Sequence, residues 1–351
     1  MNLLQRTCAR VAAPDLDVRA EVQRQLDLKT KPRGSLGRLE ELAATYCAIR
    51  RSPASAAPAK AIVVMAGDHG VAAEGVSAFP QEVTAQMVLN FVRGGAAINA
   101  LARHAGARLV VVDMGVKEPF SHPEVRSARV GPGTRNFTRG PAMTSDEALR
   151  ALEAGIGLGE ELADAGVGVV GLGDMGIANT TAASAIAAAC TGASAEEVTG
   201  RGTGIDEETR RRKVDVVRRA LEVNRPDAED GLDVLTKLGG FEIAGLAGVA
   251  LGAASRRVAV VMDGFISSAA ALLAARLAPA AAGSLIASHR SVEAGHRLVL
   301  RAIGARPLLD LDLRLGEGTG AALAMGLIDA SLAVLREMAT FESAGVSDSG
   351  A

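Results

Sequence analysis

The feature that most constrains this chain is a unit that recurs along it: a short run rich in Val and Ile, an acidic residue beside glycine, then a helical stretch. Its instances are Ala61 to Met65 before Gly67-Asp68-His69-Gly70, Leu109 to Val112 before Asp113-Met114-Gly115, Val167 to Val170 before Gly171-Leu172-Gly173-Asp174, and Val258 to Val261 before Met262-Asp263-Gly264. Strands this uniformly apolar have no polar face to give to water. They predict the interior of a parallel sheet with helices on both faces, an α/β fold. In such a sheet the ligand-binding loops gather at the carboxyl ends of the strands, where strand order reverses, so the acidic turns are expected to share one rim. Each turn alone also has an ordinary meaning, because Asp and Gly commonly leave a strand and cap the next helix.

The flanks read differently. Residues 15 to 50 are helical in pattern, interrupted at Lys31-Pro32-Arg33-Gly34-Ser35, where Ser35 suits a helix cap. Residues 52 to 59 are small and Pro-punctuated, a linker before the α/β core. Thr319 to Met338 reads as one long helix, with Leu323, Leu327, Leu332 and Leu335 among its apolar positions.

Charge excludes several classes of partner. The 38 Lys and Arg against 40 Asp and Glu leave a formal charge of -2, so no global basic field draws nucleic acid or anionic lipid. Aromatic residues are 2% of the chain, which removes the stacking platforms of single-strand binding and leaves a small-molecule ligand as the expectation. Cys8, Cys47 and Cys190 have no CxxC spacing and are expected as reduced thiols. Arg6 and Arg10 fall where an export signal needs its apolar stretch, and Asp263, Arg276 and Pro279 interrupt the Val258 to Ala287 region. A cytoplasmic protein without a membrane span is expected.

Gly171, Gly173 and Gly176 satisfy G-x-G-x-x-G between a strand and a helix, but the acidic second-strand residue of a dinucleotide site is missing. Asp174 within that run would repel a pyrophosphate. Thr199-Gly200-Arg201-Gly202-Thr203-Gly204 offers successive backbone N–H groups and a cation, with Lys213 following on a helix. This suits a phosphate cradle, or simply a flexible turn. No Walker A sequence occurs, and His69, His104, His122, His289 and His296 lack metal-ligand spacing. Gly316-Glu317-Gly318-Thr319-Gly320 sets one carboxylate among glycines before a long helix. There it is either a reactive group with close backbone approach or a residue favoured by the helix dipole.

Taken together these segments resemble the nicotinate-nucleotide:dimethylbenzimidazole phosphoribosyltransferases, which make the lower-ligand nucleotide of cobalamin. The likeness runs almost end to end. It is carried by 31–40 (Lys-Pro-Arg-Gly-Ser-Leu-Gly-Arg-Leu-Glu), Gly67-Asp68-His69-Gly70-Val71, Phe79-Pro80-Gln81-Glu82-Val83-Thr84 and Gly94-Gly95-Ala96-Ala97-Ile98-Asn99. It continues through Asp113 to Val116, Gly133 to Phe137, Asp174 to Ile177 with Asn179-Thr180-Thr181, and the 199–204 turn, then Leu238 to Ile243, Met262 to Phe265, Ser288 to Ser291 and the Glu317 run.

The resemblance implies transfer of phosphoribose from nicotinate mononucleotide to 5,6-dimethylbenzimidazole, with inversion at the anomeric carbon. It implies no metal or cofactor. It casts Glu317 as general base with Asp174 as a second catalytic carboxylate. Met175, Gly176, Asn179, Thr180, Gly202, Gly204, Lys213, Ser291, Leu315, Gly316 and Gly320 become substrate-binding, and Phe79 and Gln86 part of the base pocket. It further implies a Rossmann-like domain over 59–317 and a small helical domain from 1–58 and 318–351. The assembly would be a homodimer whose site the partner's small domain completes. Asp174 stands where the family more often has Glu. The competing classes are a dinucleotide-dependent oxidoreductase and a non-catalytic nucleotide sensor; the latter has no use for a base at Glu317.

Overall fold

The computed structural model describes residues 1–54, 56–202 and 204–347; Ser55 of the expected linker, Thr203 of the glycine turn and the last four positions of the expected helical domain lie outside them. Six strands form: β1 (Ala59–Gly67), β2 (Ala107–Gly115), β3 (Val125–Ser127), β4 (Val167–Met175), β5 (Ala259–Met262) and β6 (Leu285–Ala287). Their order is β3-β2-β1-β4-β5-β6 with every neighbouring pair parallel, the strand order of doubly wound sheets. The recurring Val/Ile runs became β1, β2, β4 and β5. The two short edge strands are absent from the sequence pattern because three residues carry no period.

The pleat divides the strand side chains between two cores. Ala61, Val63 and Met65 of β1, Val170 and Leu172 of β4, and Val260 and Met262 of β5 face one; Ile62, Val64, Ala66, Val169, Ala259 and Val261 face the other. On the first face lie the helices Ser145–Asp164, Asn179–Thr191, Phe241–Ser255 and Phe265–Leu277. On the second lie Glu82–Val92 and Ala97–His104 together with Leu16–Asp27, Arg38–Arg50 and Thr319–Glu337, which also pack on one another. Helices from both chain ends thus meet and share a core with the sheet. Thr319–Glu337 is long and apolar enough to cross a membrane by composition, and here it uses that character to cover β1, β4 and β5.

Glycine sets the closest approaches. Phe241–Ser255 is buried from Phe241 to Ala254 and meets Ser145–Asp164 backbone to backbone. A methyl on Gly155 would strike the Gly245 carbonyl, and one on Gly248 the Leu152 carbonyl. Gly171 and Gly173, the first two glycines of the G-x-G-x-x-G run, lie inside β4 and not on a phosphate-binding turn. There they admit Ala321 and Met325, at 3.1 Å from a built Cβ on Gly171, and the Glu317 carbonyl, at 2.5 Å from one on Gly173. The dinucleotide match is therefore a packing pattern, which removes the feature that suggested an oxidoreductase.

Gly155→Ala is expected to lower unfolding stability by about 1–3 kcal/mol through overpacking. Gly157→Ala on the same helix, where a methyl meets nothing within 4 Å, should be neutral or stabilising. Denaturant melts of the two variants compare them directly.

Candidate active site

The strand order reverses between β1 and β4, and their carboxyl ends open the crevice where a doubly wound sheet binds ligands. Gly176, just past β4, has no room for a side chain because the Gly67 carbonyl sits against it, so the two strand ends stay in contact. Beneath them His69 and Glu242 form a fully buried pair, Nε2 to Oε1 at 2.5 Å. Burial opposes the imidazolium, but Glu242 and Asp68 outweigh it and raise the His69 pKa above its ordinary value.

Asp263, at the end of β5, organises the opposite wall. Its Oδ1 accepts from the backbone N–H of Gly320 (2.6 Å) and Ala321 (3.2 Å), and its Oδ2 from that of Gly318 (3.0 Å). One carboxylate thus binds the amino end of Thr319–Glu337, where free N–H groups and the helix dipole favour negative charge. Burial still pushes its pKa up to about 7, against the pull of those three donors and with Glu317 adding to the rise.

The tether fixes an unusual turn. Gly316, Glu317 and Gly318 all have positive φ, at 82°, 63° and 89°. For Glu317 that costs about 1–2 kcal/mol, so its surroundings must over-determine it. They do so through Asp263 on one side and through Gly173, against which the Glu317 carbonyl packs, on the other. The Glu317 carboxylate is buried and accepts from the backbone N–H of Ile98, while its Oε2 has no partner. Burial raises its pKa and the Ile98 bond opposes this. A strained backbone presenting a half-satisfied carboxylate signals chemistry more than helix capping.

Asp174 ends β4 within the same acidic cluster. Asn179 donates to its Oδ2 at 2.9 Å, and its Oδ1 is unpartnered. Burial, then the charges of Asp263 and Glu242, hold its pKa well above the carboxylate range. It lines a cavity with Met175, Gly176, Asn179, Thr180, Gly202, Ser291, Leu315 and Gly316. Sequence placed all of these in the site. Lys213 reaches that wall through Thr180, its Nζ donating to Oγ1 at 2.7 Å, and burial lowers its pKa to about 8. Gly204 lines an adjoining cavity that shares Gly202. The glycine turn is therefore pressed against the helix that carries Asn179 and Thr180.

Some expected residues sit elsewhere. Gly320 commits its N–H to Asp263 and its missing side chain makes room for His289. Phe79, just before Glu82–Val92, and Gln86, within that helix, are exposed and do not line the cavity. That helix nevertheless borders it, since Thr84 bonds Asp68 (2.8 Å) and accepts from the backbone N–H of Ile177. The four acidic turns share one rim, the β2 turn meeting the β1 turn where the Asp68 N–H donates to the Gly115 carbonyl at 2.9 Å, but the Asp113 carboxylate is spent on its own loop, accepting from the N–H of Gly115 and Val116. Asp263, His289, Glu293 and Arg314 escaped the sequence reading of the site. Asp263 looked like an ordinary strand-end Asp, and the other three carried no local signal. His289 is held neutral, its pKa lowered by burial to about 4.

Asp263→Ala strands three backbone N–H groups and frees the 316–318 turn. It should cost several kcal/mol, at about 1–3 kcal/mol per unsatisfied donor, and abolish turnover; a thermal melt beside an activity assay checks both.

Comparison with known proteins is consistent across sequence and structure. The family model described as phosphoribosyltransferase (DBI_PRT) matches residues 11–346. The chain is 57% identical to the nicotinate-nucleotide–dimethylbenzimidazole phosphoribosyltransferase of Chloroflexus aggregans, covering 99% of each chain. It is 55% identical to that of Roseiflexus sp., again covering 99% of both. A crystal structure of such an enzyme from Thermus thermophilus superposes with a TM-score of 0.90 at 47% identity, covering 95% of this chain and 99% of the other.

Proposed function

Because this chain belongs to the DBI_PRT family and is a phosphoribosyltransferase, we propose that it moves phosphoribose from nicotinate mononucleotide to 5,6-dimethylbenzimidazole. The products are α-ribazole 5'-phosphate, a cobalamin building block, and nicotinate. The observation that carries this reading is the Glu317 carboxylate: buried, half-unpartnered and held by a strained turn whose preceding residues Leu315 and Gly316 line the cavity with Asn179, Thr180 and Gly202, although Glu317 itself does not line it.

One ring nitrogen of the benzimidazole attacks the anomeric carbon while Glu317 accepts the proton from the other. The bond to the pyridinium nitrogen breaks, and its electron pair returns to the ring, so nicotinate leaves without an acid. Attack on the face opposite the leaving group inverts the anomeric carbon. A base with a pKa raised toward the working pH suits this step. Asp174 flanks the ribose, where positive charge developing on carbon favours its anionic form and so stabilises the transition state more than the ground state. Asn179, Thr180, Gly202, Gly204, Lys213 and Ser291 hold the mononucleotide. Met175, Leu315 and Gly316 flank the reacting centre, and Phe79 and Gln86 flank the incoming base. A shorter carboxylate at Asp174 than the family's usual Glu leaves room for a water against the ribose. The reading includes a cytoplasmic homodimer in which residues 1–58 and the chain after 317 act as the small domain toward the partner's site.

Incubating the protein with nicotinate mononucleotide and 5,6-dimethylbenzimidazole should release free nicotinate; no release overturns the proposal. Glu317→Ala should bind the mononucleotide nearly normally and lose about 10² to 10⁴ in turnover. Turnover should rise with pH as Glu317 ionises, with the acid limb centred above the ordinary carboxylate value because burial raises this pKa. Glu317→Gln should lose that limb.

A further inference from the structure

Four cations surround the glycine turn at 199–204, and three are already committed. Lys213 bonds Thr180, while Arg201 and Arg210 pair with Glu207, Arg210 also with Glu196 at 2.6 Å. Arg314 has no carboxylate partner among the described residues. Its one polar contact there is a long one, Nη1 to the Gly202 carbonyl at 3.5 Å. It lines both the cavity beside Asp174 and the adjoining cavity behind the turn, and Nη1 lies 4.0 Å from a built Cβ on Gly204. Its backbone is set against the Ser291 segment by the bond from Val292 N–H to the Leu313 carbonyl, at 3.3 Å.

The electrostatics of the turn leave a gap that this side chain fills. A phosphate monoester carries about -1.5 to -2 charge near neutrality. Lys213 supplies at most one positive charge against it, from its place beside Gly202 and Thr180. Glu293, buried with Oε2 unpartnered, lines both cavities and opposes an anion. A guanidinium stays charged at every working pH and offers a planar fork that fits phosphate oxygens. Resting on the transfer reading above, we propose that Arg314 swings from the Gly202 carbonyl onto the 5'-phosphate of the donor, and so is the residue that selects a nucleotide over its nucleoside. It stands three residues before Glu317, on the segment that leads into the strained turn, so a bound phosphate anchors the approach to the base.

The test compares wild-type protein, Arg314→Gln and Arg314→Lys with nicotinate mononucleotide and with nicotinate riboside, which lacks the phosphate, using 5,6-dimethylbenzimidazole as acceptor. Arg314→Gln should raise KM for the mononucleotide about 10- to 100-fold, the weight of a charged hydrogen bond, and leave kcat/KM for the riboside within about twofold. The lysine variant should recover part of the loss. Inorganic phosphate should inhibit the wild type competitively and the Gln variant more weakly by a similar factor. An unchanged KM, or equal losses on mononucleotide and riboside, overturns the assignment; the second result would mean that Arg314 serves Glu293 or the loop. Failure of the wild type to release nicotinate sinks the transfer reading instead, so the two failures are distinguishable. Melting temperatures near wild type are expected for both variants because the side chain is exposed.

Discussion

The carboxylate of Asp263 is the contact on which the site depends. It joins the end of β5 to the amino end of Thr319–Glu337 through three backbone donors, across more than fifty residues of sequence. That tether lets Glu317 hold a left-handed conformation that an isolated turn would abandon. It also presses the Glu317 carbonyl onto Gly173, where any side chain would intrude. The strain, the glycine in β4 and the capped helix are thus one mechanical unit. A side chain aimed by three coupled constraints wanders less than one on a free loop, which a proton acceptor requires.

Charge is divided across the crevice. Burial raises the pKa values of Asp174, Asp263 and Glu317; the charges of Asp263, Glu242 and Glu317 add to the rise at Asp174, and that of Glu317 to the rise at Asp263. Repulsion of this kind favours a cation beside the carboxylates, which is what an anomeric carbon becomes as its leaving group departs. The other end carries Lys213, which sits against Gly202, and Arg314, and favours an anion. A substrate with phosphate at one end and a developing positive centre a ribose away matches that polarity. His289 and His296 are both held neutral by burial, with pKa values lowered to about 4 and about 3, and add no charge to either end.

Much of this was legible in the chain. The apolar runs give the parallel sheet because buried strands cannot alternate with polar residues. Asp174, Asn179 and Thr180 came together around the end of β4, and Gly202 and Gly316 joined them in one cavity as the family resemblance implied. The short β3 and β6 left no periodic trace, and the G-x-G-x-x-G run matched a motif for a reason unrelated to phosphate. Its first two glycines are small because a helix and a loop from the far end of the chain press on β4. Arg314 and Glu293 gave no signal, since an arginine or a glutamate in a loop is ordinary until its neighbours are known.

Glu317 shows where the boundary falls. Its glycine neighbours and the helix that follows are written in the sequence, because backbone freedom and helix initiation are local properties. The burial that raises its pKa, the single bond from Ile98 and the tether from Asp263 come from segments distant along the chain. Local sequence therefore determined the four central strands, the glycine turns and which carboxylates stand beside glycine. Tertiary packing decided which of those carboxylates is strained, buried and left half-unpaired, because desolvation and repulsion depend on distances in space that no local pattern encodes.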